Sequence, residues 1–250
     1  MLYNADHLRQ YDLLTKDDQS VGVADFYFDD RFWTVRYLVL KTGGWLVPSQ
    51  VLVSPYAVAG VSDEARTIRV NLTKEQIENS PTPDTDPPVS RQFETSLGDY
   101  YGWPYYWYGS YIWGAAPQPV WIPPQTNDEA KESWDHTLRS SQEVRGYSIA
   151  ASDGPIGHVA GFIIDGDTWT IRYLVVDPRS LWPGPHTLVS STWVEKIEWE
   201  ARTLSLSLDR ETIKQAPEYD SDRPITREYE TQLHLHYSRQ GYWTQDEPLA

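Results

Sequence analysis

Four sets of residues have the types that chemistry needs. Trp33 and Arg36 recur as Trp169 and Arg172, an aromatic ring and a guanidinium that together could grip an anion. Both pairs lie in strand-like runs, where residues three apart face opposite ways. That spacing predicts the Trp, or the adjacent Tyr37 and Tyr173, in the core and the Arg outside in an ion pair. Asp84 with Asp86, matched by Asp220 with Asp222, offers the clustered carboxylates that hard cations favour. Each loop lacks the glycine and distal Glu of a calcium loop, so a turn closed by Asp side chains is expected. His234 and His236 are two apart in a helical run and do not share a face, which argues against a joint metal site. Ser54 and Ser190 recur without the Gly-x-Ser-x-Gly elbow of a serine nucleophile, and no phosphate-cradling glycine loop occurs. There is no Cys to supply a thiolate. These residues predict a protein that is not an enzyme, with no catalytic group, cofactor or metal.

The remaining feature is the tract from Tyr100 to Trp113, which holds Trp103, Tyr105, Tyr106, Trp107, Tyr108, Tyr111 and Trp113. Rings at this density are costly to leave in water and are common where one edge stays wet. Gly102, Pro104 and Gly109 interrupt helix propensity, so the tract is expected to wrap as irregular chain over a surface. That surface is either the protein's own sheets or a contact with another protein, a second copy of the chain in a homodimer, or a saccharide. The seven rings are the candidate protein-contact residues.

Charge narrows the partners. The net charge is −15, and the halves on either side of Gly114 carry about −6 and −9, so neither half is a basic module. A phosphate backbone or an anionic membrane surface would be repelled, which excludes nucleic acid. Hydrophobic residues make up 40% of the chain, enough to build folded cores. No apolar run approaches the length of a membrane span or a signal peptide, so a cytoplasmic protein without an integral membrane segment is expected.

The elements that would position these residues come in two copies. Shifting the chain by 136 positions lays Trp33–Val39 on Trp169–Val175, Leu52–Ser54 on Leu188–Ser190 and Glu64–Thr67 on Glu200–Thr203. Roughly 25 of about 65 paired positions are identical, too many for chance at one offset. Alternating apolar and polar residues predict strands through 21–41 and 156–176, with a Gly43-Gly44 turn after the first, and again at 67–72 and 203–208. Thr73 with Gln76 forms a capping box, Asp209 caps the matching helix, and Pro81 and Pro217 stop both. Arg91–Tyr101 and Arg227–Tyr237 read as a second helix per copy. The expected organisation is residues 1–114 as the first repeat with its aromatic tail, 115–136 as a stiff proline-rich linker, and 137–250 as the second repeat.

The Trp-x-x-Arg-Tyr-Leu-Val strand, the Glu-Ala-Arg-Thr strand end and the short helix after it resemble the PRC-barrel domain. That family takes its name from the cytoplasmic domain of the photosynthetic reaction-centre H subunit, and a related barrel occurs in a ribosome-maturation factor. Asp153–Val159, Trp169–Val176 and Asp220–Tyr229 are similar to soluble bacterial two-copy members. The resemblance implies a mainly β protein of two tandem small barrels with short C-terminal helices, used for contacts with proteins and without a shared catalytic residue. It implies a scaffold or adaptor. The alternatives are a peripheral component of a photosynthetic or other electron-transfer complex at the inner membrane, and a small-ligand or metal-responsive module using the acidic turns.

Overall fold

A computed structural model describes residues 1–41, 50–82, 89–122, 137–178 and 184–244. The expected Gly43-Gly44 turn, the Asp84–Asp86 pair and residues 123–136 of the expected linker lie outside the described residues. The protein is mainly β and falls into two compact units. Its first half contains β1 (Leu2–Asn4), α1 (Ala5–Leu8), β2 (Asp12–Leu14), β3 (Ser20–Asp29), β4 (Thr34–Lys41) and β5 (Gln50–Val53). Then follow β6 (Val58–Ser62), β7 (Thr67–Val70), α2 (Lys74–Glu78) and α3 (Arg91–Tyr101). The second half repeats this order with β8 (Leu138–Ser140), α4 (Ser141–Val144), β9 (Ser148–Ala151), β10 (Gly154–Asp165), β11 (Ile171–Asp177) and β12 (His186–Ser190). It closes with β13 (Val194–Glu198), β14 (Thr203–Leu206), α5 (Arg210–Lys214), β15 (Glu218–Tyr219) and α6 (Arg227–His236).

One unit is built on the first repeat and comprises Asp6–Ser140 with the turn Gly166–Thr170. Its sheet runs β5-β4-β3-β2-β7-β6, with β8 added against β3. The other unit takes Met1–Ala5, Ser141–Asp165 and Ile171–Glu247. There the order is β12-β11-β10-β9-β14-β13, extended by β15 beside β12 and by β1 beside β10. The two orders correspond strand for strand, including one parallel pair in each, β2 with β7 and β9 with β14. Among the described residues neither path of pairing closes on itself.

The long strands carry register shifts at matching places, Val23/Asp25 and Tyr27/Phe28 in β3 and Val159/Gly161 and Ile163/Ile164 in β10. A bulge of this kind adds twist and re-aims the side chains beyond it. Beyond the second bulge lie Asp29 and Asp165, the last residues of β3 and β10. Local signals account for the helices. Thr73 and Gln76 make the reciprocal capping box at α2, and Asp209 accepts from Thr212 N–H at α5. Leu97 of α3 packs into a buried cluster with Tyr27, Tyr37, Val39, Leu52 and Leu138, anchoring that helix on the first-repeat sheet. In the second unit Leu233 of α6 is likewise buried.

The structure differs from the expected strand at Trp33 and Trp169. Both precede their strands in the left-handed region, at φ 53° and 58°. A bulky residue there is strained and persists only where packing dictates it. Trp33 is held by stacking on Phe28 at 5.3 Å, and the Trp169 carbonyl accepts from Val35 N–H at 2.8 Å. The two Trp rings are buried, as expected, but from the turn and not from the strand face.

Candidate protein-contact site and its buried anchor

The tight β3–β4 turn sets Asp29 and Arg36 side by side. Asp29 Oδ1 accepts from Phe32 N–H at 2.6 Å, and Oδ2 accepts from Arg36 Nε at 2.7 Å. Arg36 is fully buried, which corrects the expectation of an outward arginine. What sequence periodicity omits is the cover that the aromatic tract supplies. Arg36 Nη1 donates to the Ile112 carbonyl at 2.6 Å, and its guanidinium carbon lies 3.9 Å from the Tyr106 ring centre and 4.7 Å from that of Trp113. Nη2 has no hydrogen-bond partner among the described residues. Paired carboxylate and ring faces together offset the cost of desolvating the cation.

A second layer of the anchor comes from α3. Buried Glu94 accepts from Tyr37 at 3.2 Å and from Tyr106 at 2.5 Å. Burial, then Glu94, pushes both phenols well above their ordinary range, so they act as neutral donors and not as nucleophiles. Arg91 lies over the Trp107 ring at 4.1 Å. Trp113 is pinned from three sides. Its ring meets Tyr56 edge-on at 5.0 Å, its carbonyl accepts from Tyr56 OH at 3.1 Å, and its Nε1 donates to the Thr168 carbonyl at 2.8 Å.

The tract therefore divides into inner and outer rings. Tyr106, Trp107 and Trp113 are buried, Trp103 and Tyr105 are half-buried, and Tyr108 and Tyr111 remain 44% and 36% exposed. Tyr100 and Trp121 add two more exposed rings, and Trp121 is tied by Nε1 to the Gly102 carbonyl at 2.8 Å. The backbone is turned and not extended here, with Tyr111 bridged to Gly114 and Trp113 to Ala116. Gly109 makes that possible: at φ 125°, a Cβ would stand 2.2 Å from the Gly114 carbonyl oxygen.

The second unit repeats the anchor more openly. Asp165 pairs with Arg172 at 2.7 Å, Tyr173 donates to Glu230 at 2.9 Å, and Arg227 meets Glu230 at 2.9 Å. Arg172 lies 3.9 Å from the Tyr242 ring centre and Arg227 4.2 Å from that of Trp243. Tyr242 and Trp243 stand 136 positions after Tyr106 and Trp107, a correspondence that the sequence contains and that reasoning on the tract as a single feature misses. Arg172 keeps 20% of its side chain exposed.

One substitution between the copies is compensated. A Cβ at Gly98 would meet the Tyr105 ring at 2.9 Å, whereas the second copy has His234 and Gly241 in those places. There the His234 ring takes over the contact with Trp243, at 5.0 Å, that Tyr105 makes with Trp107. His234 Nδ1 lies 3.0 Å from the Gln240 carbonyl, which can only accept, so this nitrogen carries the proton in the neutral ring. Nε2 lies 3.0 Å from Tyr173 OH. Burial holds its pKa below the ordinary 6.5, against the opposing Gln240 hydrogen bond. The unfolded chain thus takes up a proton first as pH falls, and stability is lost downward from about pH 6.5 at no more than about 1.4 kcal/mol per unit. Denaturation midpoints of His234→Gln should fall less steeply than wild type between about pH 6.5 and 5.5.

Other sequence candidates are spent on local structure. Asp220 accepts from Asp222 N–H at 3.0 Å and pairs with Arg223 at 3.2 Å, beside an open cleft of about 360 Å³ lined also by Tyr219 and Tyr229. His236 Nε2 lies 2.7 Å from the Thr212 carbonyl, so the two helix histidines face different partners. Ser54 and Ser190 cap short turns after β5 and β12. Among the described residues no group of three or more His, Asp or Glu converges as metal ligands, and no helix is long and apolar enough to cross a membrane. No protein-family model matches the chain, and no curated protein matches it. Fold and site together define a mainly β protein of two repeated units, each with an arginine-carboxylate pair roofed by aromatic rings.

Proposed function

We propose that the chain is a non-enzymatic, cytoplasmic scaffold or adaptor that binds another protein through the outer rings of its aromatic tract. The observation that carries this is the division of the tract. The inner rings are locked over Arg36, so the outer rings Tyr108 and Tyr111, with Tyr100 and Trp121, are held out on a fixed support. Rings that are pre-ordered and half wet lose little entropy on binding, which suits them as contact anchors. The buried polar groups favour the same reading, because the tyrosines around Glu94 are donors to a satisfied carboxylate and offer no reactive group. A PRC-barrel identity for each unit is supported by the strand motifs and by two small sheets of matching order.

A photo-crosslinking amino acid at Tyr111 tests the surface. It should trap a discrete protein partner in cells, while the same group at buried Trp107 should trap none. Equal labelling from both positions, or none from either, would count against the proposal.

A further inference from the structure

Each sheet is completed by a strand that opens the other sequence repeat. β1 begins the first repeat yet pairs antiparallel with β10 of the second, Leu2 opposite Asp165, Tyr3 opposite Ile164 and Asn4 opposite Ile163. β8 begins the second repeat yet pairs with β3 of the first, Leu138 opposite Asp29, Arg139 opposite Phe28 and Ser140 opposite Tyr27. Every residue in one ladder stands 136 positions from its counterpart in the other, so the two registers are the same. A one-turn helix follows each strand, α1 and α4.

We infer that the leading strand of each repeat is a docking segment for the other repeat, so that the two repeats form a strand-exchanged pair that holds together without the chain between them. The mode is β-augmentation, in which main-chain pairing gives affinity and alternate side chains give fit. On β8 the fit is close. Leu138 is 1% exposed within the cluster of Tyr27, Tyr37, Val39, Leu52 and Leu97. Thr137 N–H donates to Asp30 Oδ1 at 3.0 Å, Asp30 N–H donates to the Thr137 carbonyl at 3.2 Å, and Ser140 Oγ donates to Asp25. β1 is held more lightly. Its side chains are half-buried, with Asn4 Nδ2 donating to Tyr219 OH at 2.9 Å. The occupant of each edge is thus a named segment of this chain, and β8 is the stronger fastening.

A protease site inserted between Gln125 and Thr126 of the full chain tests this. After complete cleavage the protein should elute under native conditions as one particle of the uncut mass, and should part into two fragments only in denaturant. Leu138→Asp, with its β content checked by circular dichroism before cutting, should let the fragments separate in buffer. The milder Leu138→Ala should lower the denaturant concentration at which they part, which keeps the test readable if the aspartate variant does not fold. Wild-type fragments that separate on cutting would overturn the inference. So would an unchanged parting concentration for Leu138→Ala.

Discussion

Arg36→Ala is expected to destabilise the protein by about 3–5 kcal/mol, because it leaves a buried carboxylate without its partner. Asp29 is 1% exposed, so water cannot replace the lost guanidinium. The same change also removes the cation between Tyr106 and Trp113 and the donor to Ile112. Arg172→Ala should cost less, since Arg172 and Asp165 keep 20% and 10% of their side chains in solvent. A double replacement, Asp29→Leu with Arg36→Met, should recover much of the Arg36→Ala loss, as apolar pairs of similar size often do for buried ion pairs. Denaturant midpoints of the four proteins check the order. Equal losses at Arg36 and Arg172 would show that the aromatic roof does not isolate the first pair from water.

Trp113→Ala should cost about 3–5 kcal/mol, the usual range for removing a large buried ring, while Trp121→Ala should change stability by less than about 0.5 kcal/mol. The contrast follows from exposure, 2% for Trp113 against 59% for Trp121. Trp113 also shares contacts with Tyr56, Tyr106 and Arg36, so its loss uncovers the ion pair as well as leaving a cavity. The two effects are coupled. Trp113→Ala in an Arg36→Ala background should therefore cost less than the sum of the single changes. Thermal melts of the single and double variants give the comparison.

The parts of this structure that were legible in the sequence are those set by near neighbours. The capping box at Thr73 and Gln76, the Asp209 cap and the run of α3 from Arg91 to Tyr101 depend on residues a few positions apart. The two sheets share one strand order, and motifs such as Trp33–Val39 and Trp169–Val175 recur at matching places in it. Arg36 was misplaced because its side depends on what covers it, and its cover is Ile112 and Trp113, far along the chain. Trp33 looked like a strand residue because composition alone does not report a positive φ. The leading strands β1 and β8 were invisible for a different reason. Three residues are too few to show an alternation, and their partners lie in the other repeat. The Tyr242–Trp243 pair stands at the same 136-residue offset from Tyr106–Trp107, although the stretch after Tyr237 is no full equivalent of the first copy's aromatic tract.

The site follows the same division. Aromatic density pointed to the tract, and the glycines and proline pointed to irregular wrapping. Which rings face inward was not readable, since that follows from the Arg36 and Glu94 side chains that draw Tyr106 and Trp113 down onto the sheet. Burial of Tyr106, Trp107 and Trp113 leaves Tyr108 and Tyr111 as the rings of the original set with most surface to offer.

Substituting Tyr108, Tyr111 and Trp121 together by Ser separates anchoring from contact most directly. The melting temperature should stay within about 2 °C of wild type, since exposed positions contribute little to stability, while the partner identified by crosslinking from Tyr111 no longer co-purifies with the variant from cells. A variant that retains that partner at wild-type yield would contradict the account, and the outer rings would then have no part in binding.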